Sequence, residues 1–254
     1  MSENRLQAQS EALSQFGLTK LPNTEKTNRI QGIFSSVANR YDLMNDLMSG
    51  GLHRIWKHYT LNLINYPQAG TITDLACGSG DLLLGHAARM RDGCRLTGVD
   101  PNGEMLARAK NRLADAGVVG VALSQAPAEA LPLENESQDL VTISFGLRNA
   151  TDMTKALDEC MRVLRQGGRL LILEFSHPKR AWLQQLYSCF SRAIPLLGEV
   201  VVKDRNSYQY LVDSIKTHPD QQTLAARMRD VGFALVEWID LTGGIVAVHS
   251  GYKT

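Results

Sequence analysis

The chain has 254 residues, a formal net charge of +1 and 44% hydrophobic residues, which allows one sizeable core in a single large domain. Near-neutrality excludes the broad basic field that nucleic acid or an anionic bilayer would demand. Cys77, Cys94, Cys160 and Cys189 are widely separated and form no CxxC pair, and the histidines add no zinc-type spacing, so neither a disulfide framework nor a metal site is expected.

Residues 1–28 are polar and weakly periodic and read as a mobile N-terminal arm; the opening Met1-Ser2-Glu3-Asn4-Arg5 has none of the apolar core of a signal peptide. No apolar run approaches the ~18 residues of a membrane span. Over 29–66 a helical cap is expected. Ile33, Phe34, Val37, Tyr41, Met44, Leu47 and Met48 recur in steps of three and four, and Ser49-Gly50-Gly51 divides the stretch into two helices. Residues 70–175 then alternate: strands are expected at 71–76, 95–100, 119–124, 140–145 and 169–175, and helices at 82–90, 105–116 and 153–164, the last stopped by Gly167-Gly168. Such alternation predicts βαβ units and a parallel sheet covered on both faces. Residues 176–218 read as an irregular helical insertion broken at Pro195 and Gly198, and over 219–254 one more helix precedes an antiparallel hairpin around Thr242-Gly243-Gly244.

The first strand of the alternation runs into Asp74-Leu75-Ala76-Cys77-Gly78-Ser79-Gly80-Asp81. Glycines between a strand and a helix let the backbone turn sharply and approach a ligand closely. Asp100 ends the second strand about twenty residues further on, where a carboxylate accepts the ribose hydroxyls of an adenosine. A dinucleotide would put its pyrophosphate at this helix N-terminus, beside the repelling carboxylate of Asp74. Position 83 is also Leu, not the third glycine of the dinucleotide fingerprint. Asp74 suits instead the sulfonium and ammonium of S-adenosyl-L-methionine. The expected architecture is an α/β, Rossmann-like class I methyltransferase fold, a seven-stranded and mostly parallel sheet with a C-terminal antiparallel hairpin. A nicotinamide enzyme is the weaker alternative.

Longer motifs point the same way. Tyr41-Asp42-Leu43-Met44-Asn45-Asp46-Leu47-Met48-Ser49-Gly50-Gly51-Leu52-His53-Arg54-Ile55-Trp56 and Ile143-Ser144-Phe145-Gly146-Leu147-Arg148-Asn149 resemble signatures of the ubiquinone/menaquinone biosynthesis C-methyltransferases. So does Arg162-Val163-Leu164-Arg165-Gln166-Gly167-Gly168-Arg169 through Glu174-Phe175-Ser176. Ser207-Tyr208-Gln209-Tyr210-Leu211, His218-Pro219-Asp220 and Gly251-Tyr252-Lys253 match as well. The resemblance spans about residues 30–254. It implies an enzyme, cytoplasmic or peripheral at the inner membrane surface, that methylates a ring carbon of a polyprenylated quinol: demethylmenaquinol, 2-methoxy-6-polyprenyl-1,4-benzoquinol, or both. Association with a quinone-biosynthesis complex and a homodimer stay open. So do methylation of another small molecule and a non-catalytic, cofactor-binding subunit. Three departures stand out. Gln166 replaces a usual Pro; Ala76-Cys77 and Ser79 stand where glycines and Thr are common; Pro127 stands where Asn or Asp usually meets the adenine. Proline has no side-chain donor and no backbone N–H, which leaves adenine to the N–H of Ala128 or to other groups.

The expected cofactor site is Asp74, Gly78, Ser79, Gly80, Asp100, Pro127, Ala128 and Ser144. The resemblance points to Arg148 as catalytic. Guanidinium does not serve as a base, so Arg148 is expected to stabilise a developing phenolate and to orient a water held by Asn149; the plainer alternative is a structural arginine paired with a carboxylate. Tyr41, Asn45, His53, Trp56 and Tyr208 are expected to close over the acceptor ring, against a plainer reading as core packing. Residues 179–203 are expected to line a channel for the isoprenoid tail.

Overall fold

The computed structural model describes residues 13–37, 41–202 and 205–254. A short antiparallel hairpin comes first, β1 (Leu13–Phe16) and β2 (Thr19–Pro22), followed by α1 (Asn23–Val37), α2 (Tyr41–Ser49) and α3 (His53–Asn62). Residues 13–28 are therefore built into the molecule rather than forming the expected mobile arm. Phe16 stacks on Tyr210 at 4.6 Å, and Lys26 is buried with its Nζ on the carbonyl of Ala150 at 2.5 Å. Residues 1–12 lie outside the described part. The cap holds three helices among the described residues rather than two.

The alternating region gives β3 (Thr71–Leu75), α4 (Asp81–Ala87), β4 (Arg95–Asp100), α5 (Gly103–Asp115), β5 (Val121–Gln125), β6 (Gln138–Ser144), α6 (Met153–Val163) and β7 (Leu164–Phe175). The remainder is α7 (Ala181–Val202), α8 (Arg205–Thr217), α9 (Gln221–Val231), β8 (Ala234–Leu241) and β9 (Val246–Tyr252). The strands form one seven-stranded sheet in the order β5-β4-β3-β6-β7-β9-β8, with β9 antiparallel to both its neighbours and the other pairings parallel. This is the expected class I methyltransferase architecture.

Side chains alternate between the two faces of each strand, and both faces are covered. Ile72, Leu96, Leu140, Leu171 and Leu173 pack with Trp56, Leu83 and Leu211 on one side. Leu75, Val99, Val141, Ile143, Leu170 and Ile172 pack with Leu157, Cys160 and Met228 on the other. Burial on both sides is why these strands read as nearly unbroken apolar runs. Asn102, Asp152 and Asp220 accept first-turn N–H groups and so fix the starts of α5, α6 and α9.

Two expected boundaries differ. α6 stops at Val163, ahead of Gly167-Gly168, because Leu164 already pairs with Gln138 and is fully buried. The glycines sit inside β7, where the Gly167 N–H donates to the Lys253 carbonyl at 2.8 Å. α7 runs through Pro195 and Gly198 without a break. A Cβ on Gly198 would lie 2.5 Å from the Tyr208 ring, so this glycine permits close approach of α8 rather than ending a helix. No helix among the described residues is long and apolar enough to cross a membrane.

Candidate active site

The strand order reverses between β3 and β6, and in open α/β sheets ligands bind at the carboxyl ends of the strands flanking such a point. β3 ends at Leu75, and the chain then enters the glycine turn. Ala76 and Gly78 take φ of +54° and +53°, and Gly80 takes +86° as it caps α4. A Cβ on Gly80 would also crowd that of Ala109, at 3.2 Å, so the positive φ and the close approach of α5 both favour glycine there. The turn presents its backbone to Asp100 at the end of β4: the Gly78 N–H donates to Asp100 Oδ2 at 2.8 Å and the Asn102 N–H donates to Oδ1 at 2.9 Å. Burial pushes the Asp100 carboxyl up to about 6, against the pull of those two N–H groups.

An open cleft of about 870 Å³ lies over this turn. Its floor includes Gly78, Asp100, Pro127 and Ala128, and Ile143, Phe145 and Asn149 form its far side. Its near wall is α1, through Thr27, Ile30, Gln31 and Phe34. Asn102 Nδ2 ties that wall down, donating to Ser35 Oγ at 3.0 Å and the Gln31 carbonyl at 3.3 Å. A smaller recess of about 250 Å³ adjoins it through Ala76 and holds Asp74, Ser79, Asp81, Ser144 and Lys57. Asp74 is almost wholly buried, and burial raises its carboxyl to about 7 despite a hydrogen bond from Thr142. Asp81 behaves oppositely. Burial pushes it up, but Lys57 Nζ at 2.7 Å and Arg112 Nη2 at 2.7 Å outweigh that and hold it well below the usual carboxylate range. Ser79 Oγ accepts from Arg112 at 2.8 Å. Ser144 Oγ is buried without a partner among the described residues.

These features fit S-adenosyl-L-methionine: a buried carboxylate for ribose hydroxyls, a tight turn without side-chain bulk, a recess with acidic walls and an unsatisfied serine hydroxyl. Every expected cofactor residue lines one of these two adjoining spaces except Gly80, which shapes the turn. Pro127 stands in the cleft wall with its carbonyl accepting from Ala130 N–H at 3.2 Å.

The expected catalytic pair sits in the short 3-10 turn Leu147–Asn149 after β6. Arg148 Nη1 donates to Glu174 Oε1 at 2.7 Å and to the Phe145 carbonyl at 2.6 Å, and its guanidinium lies 5.3 Å from the centre of the Phe175 ring. Its Nε is buried without a partner among the described residues. Arg148 lines a second cavity, of about 1000 Å³, with Lys26, Tyr210 and His218, whereas Asn149 lines the main cleft. Tyr210 links the two spaces by donating to Asn149 Oδ1 at 3.1 Å.

The residues expected over the acceptor ring are spread apart. The side chain of Tyr41 lies outside the described part. Asn45, His53, Trp56 and Tyr208 do not line the main cleft. His53 is buried with Nε2 2.9 Å from Asp46 Oδ1, and burial followed by the charge of Lys57 lowers it from its ordinary value. Trp56 donates to Thr242 Oγ1 at 2.8 Å and packs against Phe145 and Phe175, and Tyr208 is fully buried beside Gly198. Sequence reasoning missed Glu174, Lys57 and the wall made by α1. Glu174 carried a signal, as the one acid in the run Leu170-Leu171-Ile172-Leu173-Glu174-Phe175.

Comparison with known proteins supplies the class and the family. Residues 22–253 match the ubiE/COQ5 methyltransferase family. The chain is 43% identical over 250 residues to the ubiquinone/menaquinone biosynthesis C-methyltransferase UbiE of Marinomonas sp. (strain MWYL1), covering 98% of this chain and 100% of that protein. It is 47% identical over 240 residues to the UbiE of Francisella tularensis subsp. novicida (strain U112), covering 94% and 96%. Its fold matches the crystal structure of an S-adenosylmethionine-dependent methyltransferase from Aquifex aeolicus at TM-score 0.61 and 14% identity, covering 83% of this chain and 97% of that one. One from Thermotoga maritima matches at TM-score 0.62 and 19% identity, covering 89% and 100%. Fold and relatives together make this an S-adenosyl-L-methionine-dependent methyltransferase. Within that class the chain belongs to the ubiE/COQ5 methyltransferase family.

Proposed function

We propose that this enzyme transfers a methyl group to a ring carbon of a polyprenylated quinol, demethylmenaquinol or 2-methoxy-6-polyprenyl-1,4-benzoquinol or both. The near full-length relatives that carry this name support the substrate class. The observation that carries the chemistry is the Nε of Arg148, buried without a partner among the described residues, on the turn whose neighbours Leu147 and Asn149 line the main cleft.

When bound, S-adenosyl-L-methionine supplies an electrophilic methyl. Attack by carbon requires an electron-rich ring, which the reduced quinol provides through its hydroxyl groups. Arg148 is locked in place by Glu174, and in this reading its Nε–H, reached from the cleft edge at Asn149, stabilises the oxyanion that develops as the hydroxyl loses its proton. Asn149, oriented by Tyr210, holds a water at the cleft edge to take that proton; after methylation the ring carbon gives up its own hydrogen as a proton and the oxygen regains one, so the net change is one proton released to water. The apolar walls exclude other water. Asp74, Gly78, Ser79, Asp100, Pro127, Ala128 and Ser144 bind the cofactor in this reading, with Gly80 shaping the turn. Trp56 supports the ring pocket from behind, through Phe145 and Phe175, with Tyr41, Asn45 and His53 in the surrounding cap and Tyr208 on α8.

The isoprenoid tail leaves along α7. Exposed Leu52, Ile55 and Tyr59 on the cap and Trp182, Leu186 and Leu196 on α7 supply apolar surface for contact with a membrane. Incubation with methyl-labelled S-adenosyl-L-methionine, a reductant and each quinol tests the reading. Label on a ring carbon of either acceptor is expected. Bound cofactor with no label on either would overturn the substrate.

A further inference from the structure

Asp74 is engaged on the side away from the cleft as well. β3 and β6 are in register at Asp74 and Thr142, so the two side chains leave the same face of the sheet. Thr142 Oγ1 lies 2.7 Å from Asp74 Oδ1. Over that face α4 places His86, with Nε2 3.0 Å from Thr142 Oγ1 and Nδ1 2.9 Å from the Tyr66 hydroxyl. Asp74, Thr142 and His86 are no more than 2% exposed, and Tyr66 is 8% exposed. The result is an unbroken buried chain from Tyr66 to the recess beside the glycine turn.

Donor counting allows this chain two orientations. An ionised Asp74 only accepts. Thr142 then donates to it and accepts from His86 Nε2–H, and His86 Nδ1 accepts from Tyr66. Protonation of Asp74 on Oδ1, the oxygen that faces Thr142, reverses every bond: Asp74 donates to Thr142, Thr142 to His86 Nε2, and His86 Nδ1–H to the Tyr66 oxygen. The states differ by one proton on Asp74 and by the tautomer of a neutral His86.

We propose that the Tyr66–His86–Thr142 chain senses the charge on Asp74, so that binding of S-adenosyl-L-methionine releases one proton and switches His86 from its Nδ1–H to its Nε2–H tautomer. This rests on Asp74 facing the cationic end of the cofactor. The balance is simple. The Asp74 proton passes to Thr142 as the Thr142 proton passes to His86 Nε2. The Nδ1 proton passes to Tyr66, whose own proton goes to water, and no bond between heavier atoms changes.

The surroundings suit this role. Burial holds Asp74 near 7, with Thr142 and then Lys57 pulling down and Asp100 and Asp81 pushing up, so both forms exist around neutral pH. Lys57 is committed to Asp81 at 2.7 Å and does not neutralise Asp74 alone. The neighbouring Cys77 thiol is held up by burial and by the two acids, so it stays protonated. Burial and then Arg89 lower His86 to about 3, which keeps it uncharged in both states, and burial raises the Tyr66 phenol beyond the neutral range.

Calorimetric titration of S-adenosyl-L-methionine into the enzyme, in buffers of different ionisation heat, counts the protons released. About one is expected at pH 6, about half at pH 7 and nearly none at pH 8.5. Thr142→Val removes a donor to the carboxylate, so the profile moves to higher pH and affinity at pH 7 falls about tenfold. Nitrogen-15 NMR of His86 in the wild-type enzyme reads the tautomer directly, with Nε2 gaining its proton on cofactor binding at pH 6. Tyr66→Phe is expected to blunt that switch. Constant proton release from pH 6 to 8.5, or a fixed His86 tautomer, overturns the chain. Wild-type affinity in Asp74→Asn would instead overturn the placement of Asp74 at the cofactor.

Discussion

Arg148 Nη1 and Glu174 Oε1 lie 2.7 Å apart with both side chains nearly inaccessible, at 6% and 1% exposure. Removing one partner of a buried ion pair strands the other and costs about 3–5 kcal/mol. Arg148→Ala is therefore expected to lose stability as well as turnover, with turnover falling far more than cofactor affinity. The double variant Arg148→Ala/Glu174→Gln separates the two effects. Urea denaturation should show much of the stability restored, while single-turnover methyl transfer stays low. Recovered turnover in the double variant would reduce Arg148 to a structural residue.

Asp100 accepts two backbone N–H groups and so organises the glycine turn at the floor of the cleft. Asp100→Asn keeps the shape but turns an amide donor toward one of those N–H groups. Hydrogen bonds to a charged group contribute roughly 1.5–3 kcal/mol, so cofactor affinity should fall by about tenfold or more for each bond lost. Calorimetry measures this, and thermal melting checks that the fold persists. Unchanged affinity would place the ribose elsewhere.

Pro127 lines the cleft and offers it no side-chain hydrogen bond. Pro127→Asn adds an amide at that wall. A net hydrogen bond of about 0.5–1.5 kcal/mol predicts cofactor binding tighter by about two- to tenfold. An unchanged dissociation constant would move the adenine away from this position.

What the sequence revealed of this site was what local pattern encodes. Apolar runs in alternation gave the sheet, and the glycine turn with Asp100 marked the floor of the cleft at its carboxyl edge, because each is written within a few residues or one βαβ unit. The wall made by α1 was legible as a helix through Ile33 and Phe34, but not as a wall. Its position depends on Asn102 reaching Gln31 and Ser35 some seventy residues back, and no periodicity records such a contact. Lys57 with Asp81, and Tyr66 with His86, are hidden for the same reason. Pro195 and Gly198 misled because their usual effect is local breakage, whereas here α7 continues through both and Gly198 faces the Tyr208 ring.

Acid stability offers the last test. Burial first, then nearby cations, lowers His86 and His218 to about 3. The unfolded chain protonates both below about 6.5, while the folded chain resists until about 3. The unfolded state thus binds more protons in that window, and this stability, fully present above about 6.5, is lost as pH falls toward 3. Asp74 and Asp100 act in the opposite sense. Their folded values, about 7 and about 6, lie above the unfolded one, so falling pH adds stability until about 4 and then nothing more. The two effects offset one another between pH 6.5 and 4, and the steep loss should fall below about 4. His218 isolates the histidine part, because both its ring nitrogens are buried without partners among the described residues. His218→Phe removes that unsatisfied polarity, and is expected to hold or raise stability at pH 7 and to flatten the acid limb in urea denaturation at stepped pH. Curves for variant and wild type that run parallel from pH 6.5 to 3 would show that His218 is already charged in the folded chain.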